Sequence, residues 1–211
     1  MIAFQPIDTH TFFDAAAKNI QISSERKALL HKIAIKIAEK HHSSKKVNLN
    51  FICTHNSRRS QLAQVWSFFA IDYFKLKNID VFSGGTAVTA FYRNTVKTLQ
   101  NTGFHFDIED FSHQNPTYRI SFKESKKSIL GFSKLFDNTH NKKPYIAITT
   151  CNHADENCPF IPDALHRFHL PFVDPKFSDK TATAENIYQK TNKQVAKEMY
   201  VIFKEVKKLL Q

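Results

Sequence analysis

The run Cys53-Thr54-His55-Asn56-Ser57-Arg58-Arg59-Ser60 places a thiol, an imidazole, two guanidinium groups and several hydroxyls on one short stretch of chain. Val47-Asn48-Leu49-Asn50-Phe51-Ile52, just before it, reads as a buried strand. Residues 60–75, just after it, show helical spacing, with Leu62, Val65, Trp66, Phe69 and Tyr73 on the apolar side. A loop between a strand and a helix can turn successive backbone N–H groups toward one anion, and the helix N-terminus reinforces them. Arg59 adds a planar fork of donors that matches two oxygens of a tetrahedral anion. The same field favours the thiolate, the nucleophilic form of a cysteine, and the Ser60 hydroxyl is placed to donate to it. The chemistry expected is attack by the Cys53 sulfur on a bound tetrahedral oxyanion. Cysteine and arginine at this interval also occur by chance. What separates this pair from a buried strand-end cysteine beside a surface arginine is the strand before it, Ser60 and the long helix beyond.

Further candidates lie downstream. Cys151 follows directly on an apolar run at 145–150, as Cys53 follows on its own. In a parallel sheet the carboxyl ends of the strands share one edge, and ligands bind there, so the two cysteines can meet. Asp174, beyond a candidate strand at 165–170 and before Pro175, can reach the same edge; a plain turn aspartate is the alternative. Cys151, His153, Cys158, His166 and His169 are zinc-ligand types, but no CxxC pair accompanies them, and no metal or cofactor is expected. Asp155 and Glu156 read as a solvated face.

The elements that must position these groups alternate. Residues 10–41 read as helical, with Leu29, Ile33 and Ile37 on one face and Ser23 or Ser24 available as a cap. Residues 41–46 are polar and read as a linker. A short strand at 79–83 runs into Gly84-Gly85, and a helix at 92–102 ends at Gly103. Residues 118–122 alternate like a strand or hairpin, 129–136 are its partner or a short helix, and 105–143 as a whole reads as an insertion or lid. A last helix covers 183–210. Strands alternating with helices imply a parallel sheet wrapped by helices.

The chain has 211 residues, room for one substantial domain and an appendage. No apolar run is long enough to span a bilayer, and the first residues lack the basic start and apolar block of a secretory signal. A cytoplasmic location is expected, where cysteines are catalytic or metal-binding rather than disulfide-bonded. Net charge is +11, but the lysines are spread along the chain and no nucleic-acid module stands out, so neither nucleic acid nor membrane is expected as a partner. With only 4 glycines, a glycine-rich nucleotide loop is excluded.

The segment from Phe51 to Gln61 resembles the active-site loop of low-molecular-weight protein tyrosine phosphatases. It is closer still to the thioredoxin-coupled arsenate reductases that share their fold. Val81-Phe82-Ser83-Gly84-Gly85-Thr86 resembles the family's second strand and its turn, and Phe172-Val173-Asp174-Pro175 its general-acid loop. The stretch from Cys151 to Pro159 resembles the reductase branch's redox helix in cysteine interval and intervening residues. The resemblance covers roughly 47–104 and 144–211. It implies an α/β fold of three layers (α/β/α) around a small parallel sheet of about four strands. The catalytic domain would be 46–211 with an insertion at about 105–143, preceded by a helical extension at 1–45.

By that resemblance Cys53 is the nucleophile, Arg59 holds the oxyanion and Asp174 protonates the leaving oxygen. Asn56 and Ser60 keep the loop in shape. Thr54, His55, Asn56, Ser57, Arg58, Arg59 and Ser60 line the substrate. Cys151 and Cys158 complete a relay in which arsenate is reduced and thioredoxin removes the resulting disulfide. The chain departs from the family in having His55 where glycine is usual and Arg58 where cysteine is frequent. Two rivals share the loop: a phosphatase acting on phosphate monoesters through a phosphocysteine, and a non-catalytic oxyanion-binding or redox-sensing module.

Overall fold

The computed structural model describes residues 7–19, 21–123, 125–157 and 160–211. In chain order its elements are α1 (Thr9–Asn19), α2 (Ser24–Ser44), β1 (Val47–Cys53), α3 (Arg59–Tyr73), β2 (Ile79–Gly85), α4 (Arg93–Gln100), β3 (Phe104–Asp110), β4 (Thr117–Phe122), β5 (Ile129–Gly131), β6 (Tyr145–Thr149), α5 (Asn152–Asn157), β7 (Ala164–His169) and α6 (Ala184–Leu209), with a 3₁₀ turn at Pro175–Ser178.

A four-stranded parallel sheet in the order β2-β1-β6-β7 forms the centre. The expected α/β architecture and strand number are both present. Alternation along β1 assigns its faces. Leu49 and Phe51 join the main core beneath α1, α2, α3 and α6, whereas Ile52 faces a smaller cluster with Cys151, Ala154 and Ile161, which Cys53 joins where the strand ends. Asn48 and Asn50 also leave the main core. Their side-chain amides donate to Pro144 O at 3.0 Å and Phe136 O at 2.9 Å, satisfying carbonyls of the segment that covers the thinner face.

The region read as helical over 10–41 forms two helices, the second starting at the expected cap. Ser23 caps the second, its hydroxyl accepting the Arg26 N–H at 3.2 Å. That helix continues to Ser44, through most of the polar stretch read as a linker. Ser43 and Ser44 bond back to Lys40 O at 3.1 and 2.9 Å, His41 and His42 lie in the last turn where the helix dipole favours them, and Lys45 ends the helix at φ 56°. Polarity there reflects exposure, not a break.

The 105–143 region is realised as a three-stranded antiparallel meander, β3-β4-β5, rather than one hairpin. Phe104, Ile120 and Phe122 are buried, and Phe122 meets Phe68 and Phe69 of α3 at 5.5 and 4.9 Å. The N-terminal helices pack into the same core. Phe12 and Phe13 of α1 stack on Trp66 at 5.3 and 5.6 Å, and burying such a side chain contributes about 1.5–3 kcal/mol.

Candidate active site

The Cys53 loop leaves the carboxyl end of β1, where Cys53 is in register with Gly85 of β2. Glycine is required there by close approach: a Cβ at position 85 would fall 2.7 Å from Thr54 O and 2.8 Å from Asn56 N. The loop's carbonyls are turned outward one after another. Cys53 O accepts from Thr86 N at 3.2 Å, Thr54 O from Ala87 N at 2.8 Å, and Ser57 O from Tyr92 N at 3.1 Å. His55 O accepts the Ser133 and Thr89 hydroxyls at 2.8 and 3.2 Å, and Asn56 O the Gln61 amide at 3.0 Å. No backbone N–H from Thr54 to Arg59 has an acceptor among the described residues. Carbonyls held outside and amides left free are the arrangement of an anion-binding nest.

The left-handed residue of the loop is Asn56, at φ 45°, and His55 is not among the positive-φ residues. Asparagine tolerates that region better than other non-glycine types, so histidine at 55 meets no backbone penalty. Asn56 is fully buried. Its amide donates to Ser60 Oγ at 2.9 Å, and its oxygen accepts the Lys134 N–H at 3.0 Å. Ser60 Oγ lies 3.1 Å from Cys53 Sγ. With Asn56 donating to the serine oxygen, the serine proton is left for the sulfur.

Arg59 begins α3 and turns to Asp174. Its Nη2 donates to Asp174 Oδ2 at 2.6 Å and its Nη1 to Phe172 O at 3.3 Å. Its Nε is buried with no acceptor among the described residues. Asp174 caps the 3₁₀ turn, its other oxygen accepting the Lys176 N–H at 3.0 Å. Asp174, read from sequence as reaching this edge, is thus beside the loop.

Arg58 faces elsewhere. Its Nε donates to Tyr188 Oη at 2.7 Å and its Nη2 to Asp179 Oδ2 at 2.6 Å, and its guanidinium lies over the Tyr92 ring at 3.9 Å. The expected oxyanion ligand is instead engaged on α6 and the turn before it. His55 is half-buried, and burial, then the nearby Lys176 and Arg58 charges, hold its imidazole below its usual pKa.

Cys151 is buried beside the loop. Its Sγ is 3.5 Å from Thr54 Oγ1, which also lies 3.3 Å from His153 Nδ1, and the Ala154 N–H donates to the same sulfur at 3.4 Å. Cys53 and Cys151 share one apolar cluster, as two strand ends on one sheet edge predict. Cys158 lies outside the described residues. Asp155 is not simply solvated, since Oδ1 accepts from Thr149 Oγ1 at 2.8 Å and Arg167 Nη2 at 2.7 Å. Among the described residues no cluster of three or more His, Cys, Asp or Glu side chains is arranged to hold a metal ion, and no helix is long and apolar enough to cross a membrane.

Sequence reasoning did not find Ser133 and Lys134, which brace the loop from the insertion, or Tyr188 and Asp179, which anchor Arg58. None carries a local motif.

Comparison with known proteins gives a consistent picture. No family model matches the chain. It is 28% identical over 130 residues to an arsenate reductase from Brevibacillus brevis, covering 62% of this chain and 78% of that protein. Its fold matches that of the YwlE mutant from Bacillus subtilis with a TM-score of 0.54 at 15% identity, over 77% of this chain and 99% of that one. The low-molecular-weight protein tyrosine phosphatase from T. tengcongensis follows with a TM-score of 0.52 at 13% identity, over 75% and 99% of the two chains.

Proposed function

We propose that this chain, an arsenate-reductase relative on the low-molecular-weight phosphatase fold, reduces arsenate to arsenite through a relay of its own cysteines. The observation that carries the reading is Cys151, a second buried thiol in contact with the Thr54 hydroxyl of the nucleophile's loop. Hydrolysis of a phosphate ester needs no such group.

The free amides of Thr54–Arg59 and the Arg59 guanidinium receive the oxyanion, supported by Thr54, His55, Asn56, Ser57 and Ser60. Arg59 exchanges Asp174 for substrate oxygens and brings its unpartnered Nε to bear. The released Asp174 carboxyl is then free to deliver a proton to the departing oxygen. The Cys53 thiolate attacks arsenic, forming an S–As bond as water leaves, and arsenic stays at +5. The Cys151 thiolate attacks the Cys53 sulfur. An S–S bond forms, the S–As bond breaks, and its electron pair stays on arsenic, which leaves as arsenite at +3. Cys158 then attacks Cys151, releasing Cys53 as thiolate and leaving a Cys151–Cys158 disulfide. A thioredoxin-type dithiol takes up that disulfide by exchange. Such a cycle belongs in a reducing compartment, which favours the cytoplasm. Arg58 serves the loop through its anchor on α6.

The test compares thioredoxin-dependent arsenate reduction with aryl phosphate hydrolysis in the wild type and in Cys151→Ser. Reduction is expected to vanish in the variant while any hydrolysis survives. Hydrolysis alone in the wild type makes the protein a phosphatase, and reduction that persists in Cys151→Ser removes the relay.

A further inference from the structure

Lys134 belongs to two places at once. Its backbone N–H holds Asn56 of the Cys53 loop, and the residue also lines a separate cavity of about 240 Å³ bordered by β2 and β5. The residue is 3% exposed. Its ammonium nitrogen is buried with no hydrogen-bond acceptor among the described residues. It lies over the Phe132 ring, 4.4 Å from its centre. Gln64, a polar side chain of the cavity, is already occupied by Val81 O, Leu130 O and the Ser83 hydroxyl. Asp80 also lines the cavity, but it is matched by Lys142 at 3.2 Å and Lys46 at 3.7 Å.

A buried ammonium without a counter-charge is costly, and a carboxylate brought beside it recovers a charge-assisted hydrogen bond. Val81, Phe82, Ile129, Leu130 and Phe132 form the apolar side of the wall, and Ser128, His140 and Lys142 add to its polar side. An apolar cavity of about 150 Å³ accommodates benzene, so this one has room for a ring and its acidic group. We propose that this cavity is a binding site for a small organic carboxylate with an aromatic or branched apolar body, its carboxylate on Lys134 and its body against Phe132 and Leu130. The site is distinct from the Cys53 loop and independent of the reaction assigned to it.

Burial pushes the Lys134 amine down to about 7, so near neutral pH it takes up a proton readily when an anion arrives. The other charged or titratable groups facing the cavity are Asp80, His140 and Lys142.

Benzoate is the probe, with binding read by calorimetry and by the shift in melting temperature. The wild type is expected to bind it saturably at pH 7. Lys134→Met should weaken binding by about tenfold or more, the loss of one charge-assisted bond, whereas Arg59→Met should leave it unchanged. Leu130→Trp, which fills the cavity and keeps Lys134, should also abolish binding and serves if Lys134→Met does not fold. Absence of saturable binding to the wild type overturns the proposal. So does undiminished binding in either cavity variant, or loss of binding in Arg59→Met, which would place benzoate in the anion loop.

Discussion

Replacing Arg58 with methionine separates two roles that adjacent arginines are easily assumed to share. Arg58 and Asp179 side chains are 10% and 16% exposed and 2.6 Å apart, so solvent screens the pair little. Methionine keeps most of the aliphatic contact but removes the charge, the bond to Tyr188 and the stacking on Tyr92. Breaking a buried pair by deleting one partner costs about 3–5 kcal/mol. Asp179 keeps the Tyr188 hydroxyl at 2.7 Å, which places the expected loss near the lower end, about 3 kcal/mol. Urea unfolding of wild type and variant measures it, and the slope with denaturant should not change. A double-mutant cycle with Asp179→Asn should show that the two losses do not add. Had Arg58 gripped the oxyanion, the loss would appear in KM, by about 10- to 150-fold for one charge-assisted bond. Stability unchanged within about 1 kcal/mol together with such a rise in KM would refute the anchor.

Asn56→Ala should cost about 2–4 kcal/mol in urea unfolding, because it leaves the Lys134 N–H unpaired in a buried position and loses asparagine's better tolerance of φ 45°. Asn56→Gly should recover about 1 kcal/mol of this by relieving the backbone alone; equal losses would show that φ is not a factor. His55, held low by burial first, should titrate below 6.5 when followed by NMR. Its unfolded form takes up a proton that the folded form resists, so its contribution to stability is present above pH 6.5 and is lost as pH falls through the folded value. A His55→Gln variant should flatten that part of the stability profile, and an unaltered profile would count against it.

The parts of the molecule that could be read from sequence are those whose physics is local. β1 is an apolar run ending at a polar loop, and α3 and α6 show their buried faces as a repeating stripe. Cys53, Arg59 and Asp174 come together because strand ends share an edge. The insertion was only half read, although Phe104-His105-Phe106-Asp107-Ile108-Glu109 alternates apolar and polar, the pattern of a strand. The bracing of the loop was not readable. Ser133 reaches His55 O across 78 positions and Arg58 reaches Tyr188 across 130, and neither end differs in type from any surface serine or helical tyrosine. Arg58 and Arg59 are likewise indistinguishable until the chain folds and one faces Asp179, the other Asp174.

The stacked aromatic seat of α1 gives the protein a built-in optical gauge. Trp66 is its sole tryptophan, fully buried between Phe12, Phe13 and Phe104, with its indole N–H on Asn192 at 2.7 Å. Its emission therefore reports whether the leading helix is seated, and a red shift on removing that helix would measure how far the main core depends on it.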